Sequence, residues 1–281
     1  MAVSQMAAKL NLDYLKEVYF TFGKNVPYLL KCGIELQIKP VLLENSLIFN
    51  TSYGILSIDK NSSSNPEIIS MSYLKFLFKE KLNDDICKQQ LFNICNLCLG
   101  LTSPYIKLDE NGRAVLYEII EDDNVLIITQ QEFEDIRRII LYQNLPDYDD
   151  EYINPELKKA MEEQDELKAK NIEIPSLERK INIITAHTGI SLQEQLEMTM
   201  RNHMLLFKEV VGEVNFQAVK AISLYAGKTD AVEWIYPKKQ GKFDEYITSV
   251  EEYNKSFGGD GKILSSPNKE IQNMINKFEK Y

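Results

Sequence analysis

The sequence predicts an α+β protein that is predominantly helical, with a β-hairpin and a three-stranded meander packed by helices in the N-terminal half and an all-α C-terminal half. Three observations carry this reading. Residues 105–129 contain the β-branched or aromatic runs YIKL, RAVLYEII and NVLIIT, punctuated by the turn sequences DENG and EDDN. Beyond Pro175 the pattern changes to short helices with clear capping signals and stops. Between the two lies an acidic seam, residues 146–175, with ten acidic residues against four lysines, so that it holds −6 of the chain's formal net charge of −10. A packed core cannot hold that density of charge.

From the N-terminus, PYLLKCGIELQIKPV alternates apolar and polar positions around Lys31, Cys32 and Gly33, which predicts two short strands and a turn. Residues 41–56 are apolar enough for a buried helix, broken by the polar DKNSSSNP. Residues 68–82 follow as a helix with Tyr73, Leu74, Leu77 and Phe78 on one face, and Asp84 and Asp85 open another that ends at Gly100. After the meander, Thr129 and Glu132 form a capping box, and Phe133, Ile136, Arg137, Ile140 and Leu141 continue at helical spacing. That helix is expected to pack its Phe and Ile face on the meander.

Within the seam, Asn154 before Pro155 is a helix start, and the helix over 155–171 has few apolar residues beyond Leu157, Met161 and Leu167, so it should be largely solvated. Ser176 caps LERKINIITAH, Gly189 ends it, and Ser191 with Glu194 makes a second capping box for LQEQLEMTMRNHMLLFKEVV. Further helices are expected near 215–225 and 229–236. The organisation is then an α+β domain over 1–145, an acidic linker with a solvated helix over 146–175, a small helical domain over 176–255, and a flexible linker with a terminal amphipathic helix over 256–281. Whether the two halves pack together is not written in any local pattern.

With 281 residues, 44% hydrophobic, 15 Tyr and 12 Phe, the chain can build a real core. No signal-peptide core and no run of about 18 apolar residues is present, so a soluble, intracellular protein with no membrane partner is expected. A pI near 5.0 and the lack of a basic run disfavour nucleic acid, whose sequence-independent binding needs clustered cations. Cys32, Cys87, Cys95 and Cys98 sit in apolar surroundings and read as reduced thiols. The CxxC of Cys95 and Cys98 lacks two further ligands at zinc spacing and lies late in an apolar helical run, so core packing is the simpler reading.

No catalytic, cofactor or metal constellation emerges. The GKT at Gly227, Lys228 and Thr229 has Ile222 where a phosphate-binding loop needs glycine. His187 falls in the last turn of a helix, where a partial positive charge complements the dipole, and His203 lies on an apolar helical face as a hydrogen-bonded core histidine. Asp147, Asp149, Asp150 and Glu151 do not match a calcium loop in glycine or closing glutamate; a solvated linker is the leading reading, with weak cation binding left open. Met200, Met204 and Phe207 lie beside the stripe of Leu192, Leu196, Thr199, His203, Leu206 and Val210. Ile271, Met274, Ile275 and Phe278 line one side of the terminal helix. Both sets are candidate protein-binding faces, since methionine adapts to several apolar partners.

Three stretches, KPVLLENSLIFNTSYGILSIDKN followed by IISMSYLKFLF, then ISLQEQLEMTMRNHMLLFKEVVG, and lastly AVEWIYP, resemble the tail assembly chaperones and related tail morphogenesis proteins of bacteriophages of Gram-positive hosts. The resemblance covers about half the chain and rests on pattern rather than on invariant motifs. It implies a non-enzymatic protein that binds tape measure or tube proteins during morphogenesis, in the host cytoplasm. A structural subunit of the tail or baseplate, resident in the virion as an oligomer, is the alternative, and an enzyme of unrecognised class a third.

Overall fold

Gly33, at a φ of +87°, turns the first hairpin. In the computed structural model, which describes residues 10–119, 125–150, 155–169 and 174–225, β1 (Val26–Leu29) pairs antiparallel with β2 (Glu35–Ile38), with Val26 opposite Ile38. Strand alternation sends Val26, Tyr28, Leu36 and Ile38 into the core. Before the hairpin, α1 (Leu12–Leu15) continues into a π-helical turn, Lys16–Phe20, and contributes Leu15 and Phe20.

The apolar run after β2 becomes a 3-10 turn, Leu43–Asn45, then α2 (Ser46–Ser52) and α3 (Gly54–Ser57). The block expected as one helix over 68–82 is two: α4 (Pro66–Ser70) stops at an extended Met71, and α5 (Tyr73–Phe76) with the π-helical turn Leu77–Lys81 restarts after Ser72. The Ser72 hydroxyl accepts the Lys75 N–H at 3.3 Å, and a serine that caps offers the backbone an alternative to continuing the helix. Tyr73, Leu74 and Leu77 are buried as expected, Phe76 joins them, and Phe78 is half-buried. Next, α6 (Asp85–Ile94) is capped by Asp84, runs on through the π-helical turn Cys95–Leu99, and stops at a left-handed Gly100.

The meander forms as β3 (Tyr105–Leu108), β4 (Ala114–Ile119) and β5 (Val125–Ile128), in the order β3-β4-β5; the EDDN turn lies outside the described residues. Ala114, Leu116, Leu126 and Ile128 are buried on its inner face. The Glu132 carboxylate accepts the Thr129 N–H at 2.8 Å and starts α7 (Gln130–Asn144). Contrary to expectation, α7 packs chiefly on α5, with further contacts to α3, β2 and the π-helical turn after α1, while α5 is the helix that also meets β4. The reason is its girth of buried residues: Phe133, Ile136, Ile139, Ile140 and Leu141 occupy too wide an arc for a helix lying on one sheet.

The second half supplies α9 (Leu177–Thr188), capped by Ser176 and ended by a left-handed Gly189, then α10 (Leu192–Glu197) behind the Ser191 and Glu194 capping box. The helix expected to run unbroken from that box stops at Met198, whose backbone is extended, and α11 (Met200–Tyr225) starts afresh. It then continues through residues 215–225 rather than ending before them. The break coincides with an antiparallel bridge between Leu42 and Thr199: the Leu43 N–H donates to the Met198 carbonyl at 2.9 Å and the Met200 N–H to the Val41 carbonyl at 2.8 Å. Beside it, Gly23 has a φ of +60°, and a Cβ there would meet Thr199 Cγ2 at 2.8 Å, so only glycine fits.

The chain divides into two compact units, one made of Met1–Pro155 with Glu173–Trp234 and the other of Glu156–Ile172 with Ile235–Tyr281. The first unit therefore joins the α+β part and α9 to α11 in one body. Of the second, the described part is nearly all of α8 (Pro155–Ala169), whose Leu157 and Leu167 are exposed among acidic side chains. The predicted helices and linker beyond 225, and the Asn154 cap, lie outside the described residues.

Within the first unit, the buried Val41 N–H is satisfied by Asn144 Oδ1 at 2.8 Å, and the same side chain returns its amide to the Ile140 carbonyl at 2.9 Å. Asn144→Ala strips a partner from a buried donor, a change that costs about 1–3 kcal/mol. Urea unfolding should show that loss as a lower midpoint at an unchanged slope.

Candidate functional site

The protein-binding face read from the sequence is divided by the fold. Met200 is 3% exposed and belongs to the core cluster, so it offers nothing to a partner in this arrangement. Met204 is half-buried against the same core, and Phe207 is half-buried with Lys180 Nζ 5.7 Å from its ring centroid. Across from them, Ile184 of α9 and Val210 of α11 are both buried where these two helices pack. Ile271, Met274, Ile275 and Phe278 lie outside the described residues.

Further along α11 the burial ends. Val214, Ala218, Ile222 and Tyr225 succeed one another at helical spacing and are all exposed, Ile222 at 67% and Tyr225 at 95%, with Val219 and Leu224 (70%) alongside. This stripe was missed in the sequence because residues 215–225 were read as a separate short helix; the i, i+4, i+8 spacing of Val214, Ala218 and Ile222 was the available signal. On its polar flank, Gln217 Nε2 donates to Glu213 Oε1 at 3.1 Å, an i,i+4 pair that supports the exposed helix.

The corner of α9, α10 and α11 is held by polar groups. Gln195 is fully buried, and its amide donates to Thr185 Oγ1 at 2.9 Å and lies 3.2 Å from the Ile190 carbonyl. Its carbonyl oxygen lies 3.2 Å from Nε2 of His203, which is itself buried. The expected hydrogen-bonded core histidine is thus observed. Burial pushes its pKa below the ordinary value, and the Lys180 ammonium adds to the effect.

The acidic seam begins with exposed acids, two of which meet basic side chains. Asp147 receives Lys208 Nζ of α11 on both carboxylate oxygens, at 2.5 and 2.6 Å. Asp150 receives Arg138 Nε at 2.6 Å and Nη2 at 3.0 Å, and the Tyr142 hydroxyl at 2.7 Å. Burial alone would raise the Asp150 pKa, but the hydrogen bonds from Arg138 and Tyr142 outweigh it and hold the carboxyl below its ordinary value. Asp147 thus meets α11 from an exposed position, where an ion pair contributes little, and the more covered Asp150 side chain meets α7; Glu151 lies outside the described residues.

Cys95 and Cys98 are buried as expected, and burial pushes the Cys95 thiol up to about 12 and raises Cys98 as well, which keeps both protonated. Cys32, by contrast, is exposed in the hairpin turn, because the turn itself faces solvent. His187 is exposed in the last turn of α9. Among the described residues no group of three His, Cys, Asp or Glu could hold a metal ion, and no helix is long and apolar enough to cross a membrane. No protein family, no curated protein and no solved structure matches the chain.

Because burial and the Lys180 ammonium disfavour the charged form of His203, its linkage has a definite sign. Above its ordinary pKa of about 6.5, folded and unfolded chains both hold it neutral and its contribution is complete; below, the unfolded chain takes a proton that the folded one resists, and stability falls. The His203→Gln variant should lose that component, flattening the stability curve below about pH 6.5 by at most about 1.4 kcal/mol per pH unit, read as urea midpoints for the two proteins.

Proposed function

We propose that this is a non-enzymatic assembly factor that binds an amphipathic partner helix along the exposed distal half of α11, in the role that the resemblance to phage tail assembly chaperones implies. The observation that carries the reading is the stripe of Val214, Ala218, Ile222 and Tyr225, an apolar face of the kind that a helix or groove of a partner covers. The partner that the resemblance names is the tape measure protein, whose long helices need an apolar surface until tube subunits enclose them. The net charge of −10 suits such a factor, since it limits self-association while a complex is held in solution.

Co-expression with the tape measure protein of the same phage tests this. The wild-type chain should keep the tape measure protein in the soluble fraction. Ile222→Glu, a change at a 67% exposed position that leaves the core untouched, should abolish that effect while preserving the melting temperature. A wild-type chain that leaves the tape measure protein insoluble overturns the proposal. Recovery of the chain at fixed copy number in mature particles would instead make it a structural subunit.

A further inference from the structure

Three features of the first unit converge on residues 198 and 199. The local sequence is helical throughout: a capping box at Ser191 and Glu194 opens the run, and no glycine or proline occurs between Leu192 and Val211. The helix nevertheless breaks there, with Met198 at ψ 149°. The groups that hold the break come from far away in the chain, the Val41 carbonyl and the Leu43 N–H, each bonded across to Met200 and Met198. Where local preference and tertiary contact disagree, the tertiary contact is storing a conformation the segment would not adopt alone.

The contact between Gln195 and His203 shows what the break achieves. The two residues are eight apart, which in an unbroken helix is about 12 Å of rise, so their 3.2 Å approach exists only because α10 and α11 are bent against each other. The bend also packs α9 on α11, with Lys180 over Phe207. Thr199 favours the bent form by accepting the Asn202 N–H on its hydroxyl at 3.3 Å as a cap for α11.

We propose that Met198 and Thr199 form a hinge at which α10 and α11 straighten into one helix when the bridge to Val41 and Leu43 is released, lifting α9 off the first half of α11. In the straight form the helix supplies i to i−4 partners for Met198 and Met200, while the Val41 carbonyl and the Leu43 N–H exchange their bridge partners for water. Opening bares Ile184 on α9 and, on α11, His203, Phe207 and Val210, a face continuous along that helix with the exposed stripe beyond Val214. α9 and α10 thus act as a cover over half of an apolar face whose other half stands uncovered.

The hinge is tested without any partner, so its failure is distinct from a failure of the α11 docking reading. Spin labels replace the exposed Asn182 of α9 and Glu209 of α11 in the full chain with Cys32→Ser and Cys87→Ser, and the distance distribution is measured by pulsed electron resonance. The expected result is a dominant short distance, from packed helices, with a minor longer one. Thr199→Ala removes the cap and supplies a strong helix former, which should raise the longer population about five-fold. Thr199→Pro suits the extended Met198 that precedes it and forbids a continuous helix, so it should abolish the longer population. A single short distance in wild type and Thr199→Ala alike overturns the hinge, as does a longer population that persists in Thr199→Pro. If Thr199→Ala does not fold, wild type against Thr199→Pro decides: a minor longer distance in wild type that the proline removes supports the hinge, and its absence from wild type overturns it.

Discussion

Two main-chain hydrogen bonds, from Leu43 to Met198 and from Met200 to Val41, tie the helical corner to the α+β part of the first unit, and the bend between α10 and α11 depends on them. They pair segments about 157 residues apart, a separation over which closing the chain costs several kcal/mol of entropy before any contact repays it. The surroundings show how that cost is met. Val41 also leans on Asn144, Lys39 donates its N–H to the Cys98 carbonyl, Arg201 donates to the Tyr142 carbonyl, and Gly23 leaves room for the Thr199 methyl. A stretch of five residues thereby touches the end of α6, the end of α7 and the start of α11.

Buried polar side chains do similar work elsewhere in that unit. Glu132, nearly inaccessible, accepts from the backbone of Thr129 and, across the fold, from the Lys31 N–H at 2.6 Å, so the start of α7 is tied to the hairpin turn. Glu118 accepts the N–H groups of Thr102 and Ser103 and fixes the entry to the meander. Arg137 donates to the Leu56 carbonyl at 2.7 Å, pairs with Glu134 and lies 4.3 Å from the Tyr73 ring, joining α3, α5 and α7. Each group is buried with its partners supplied, which is the condition under which such burial fixes one arrangement. Among the described residues, two buried side-chain atoms, Gln143 Oε1 on α7 and Arg201 Nε on α11, have no partner.

The elements whose cause is local were legible. The hairpin follows from alternation and Gly33, the meander from three β-rich runs with turn residues between them, and the caps at Asp84, Ser176 and Ser191 from side chains that bond their own neighbouring backbone. His203 was placed correctly because an apolar face leaves a histidine few other roles. The candidate surface was only half legible. Met200 and Val214 are indistinguishable as apolar residues at helical spacing, and which one is covered depends on where the core and α9 lie.

By itself the sequence determined the fold class, the strands and the helix starts that carry a cap of their own at α6, α7, α9 and α10, since propensity, capping and turn chemistry act over a few residues. The tertiary structure decided that α7 packs among helices rather than on the meander, that Asp150 and Asp147 at the start of the seam pair with Arg138 and Lys208, and that the run from Leu192 is two helices. It also decided that α9 to α11 share one unit with the α+β part. These outcomes share a physical reason. Each is set by partners distant in the chain, and a donor or apolar face advertises in sequence that it needs a partner, never which one.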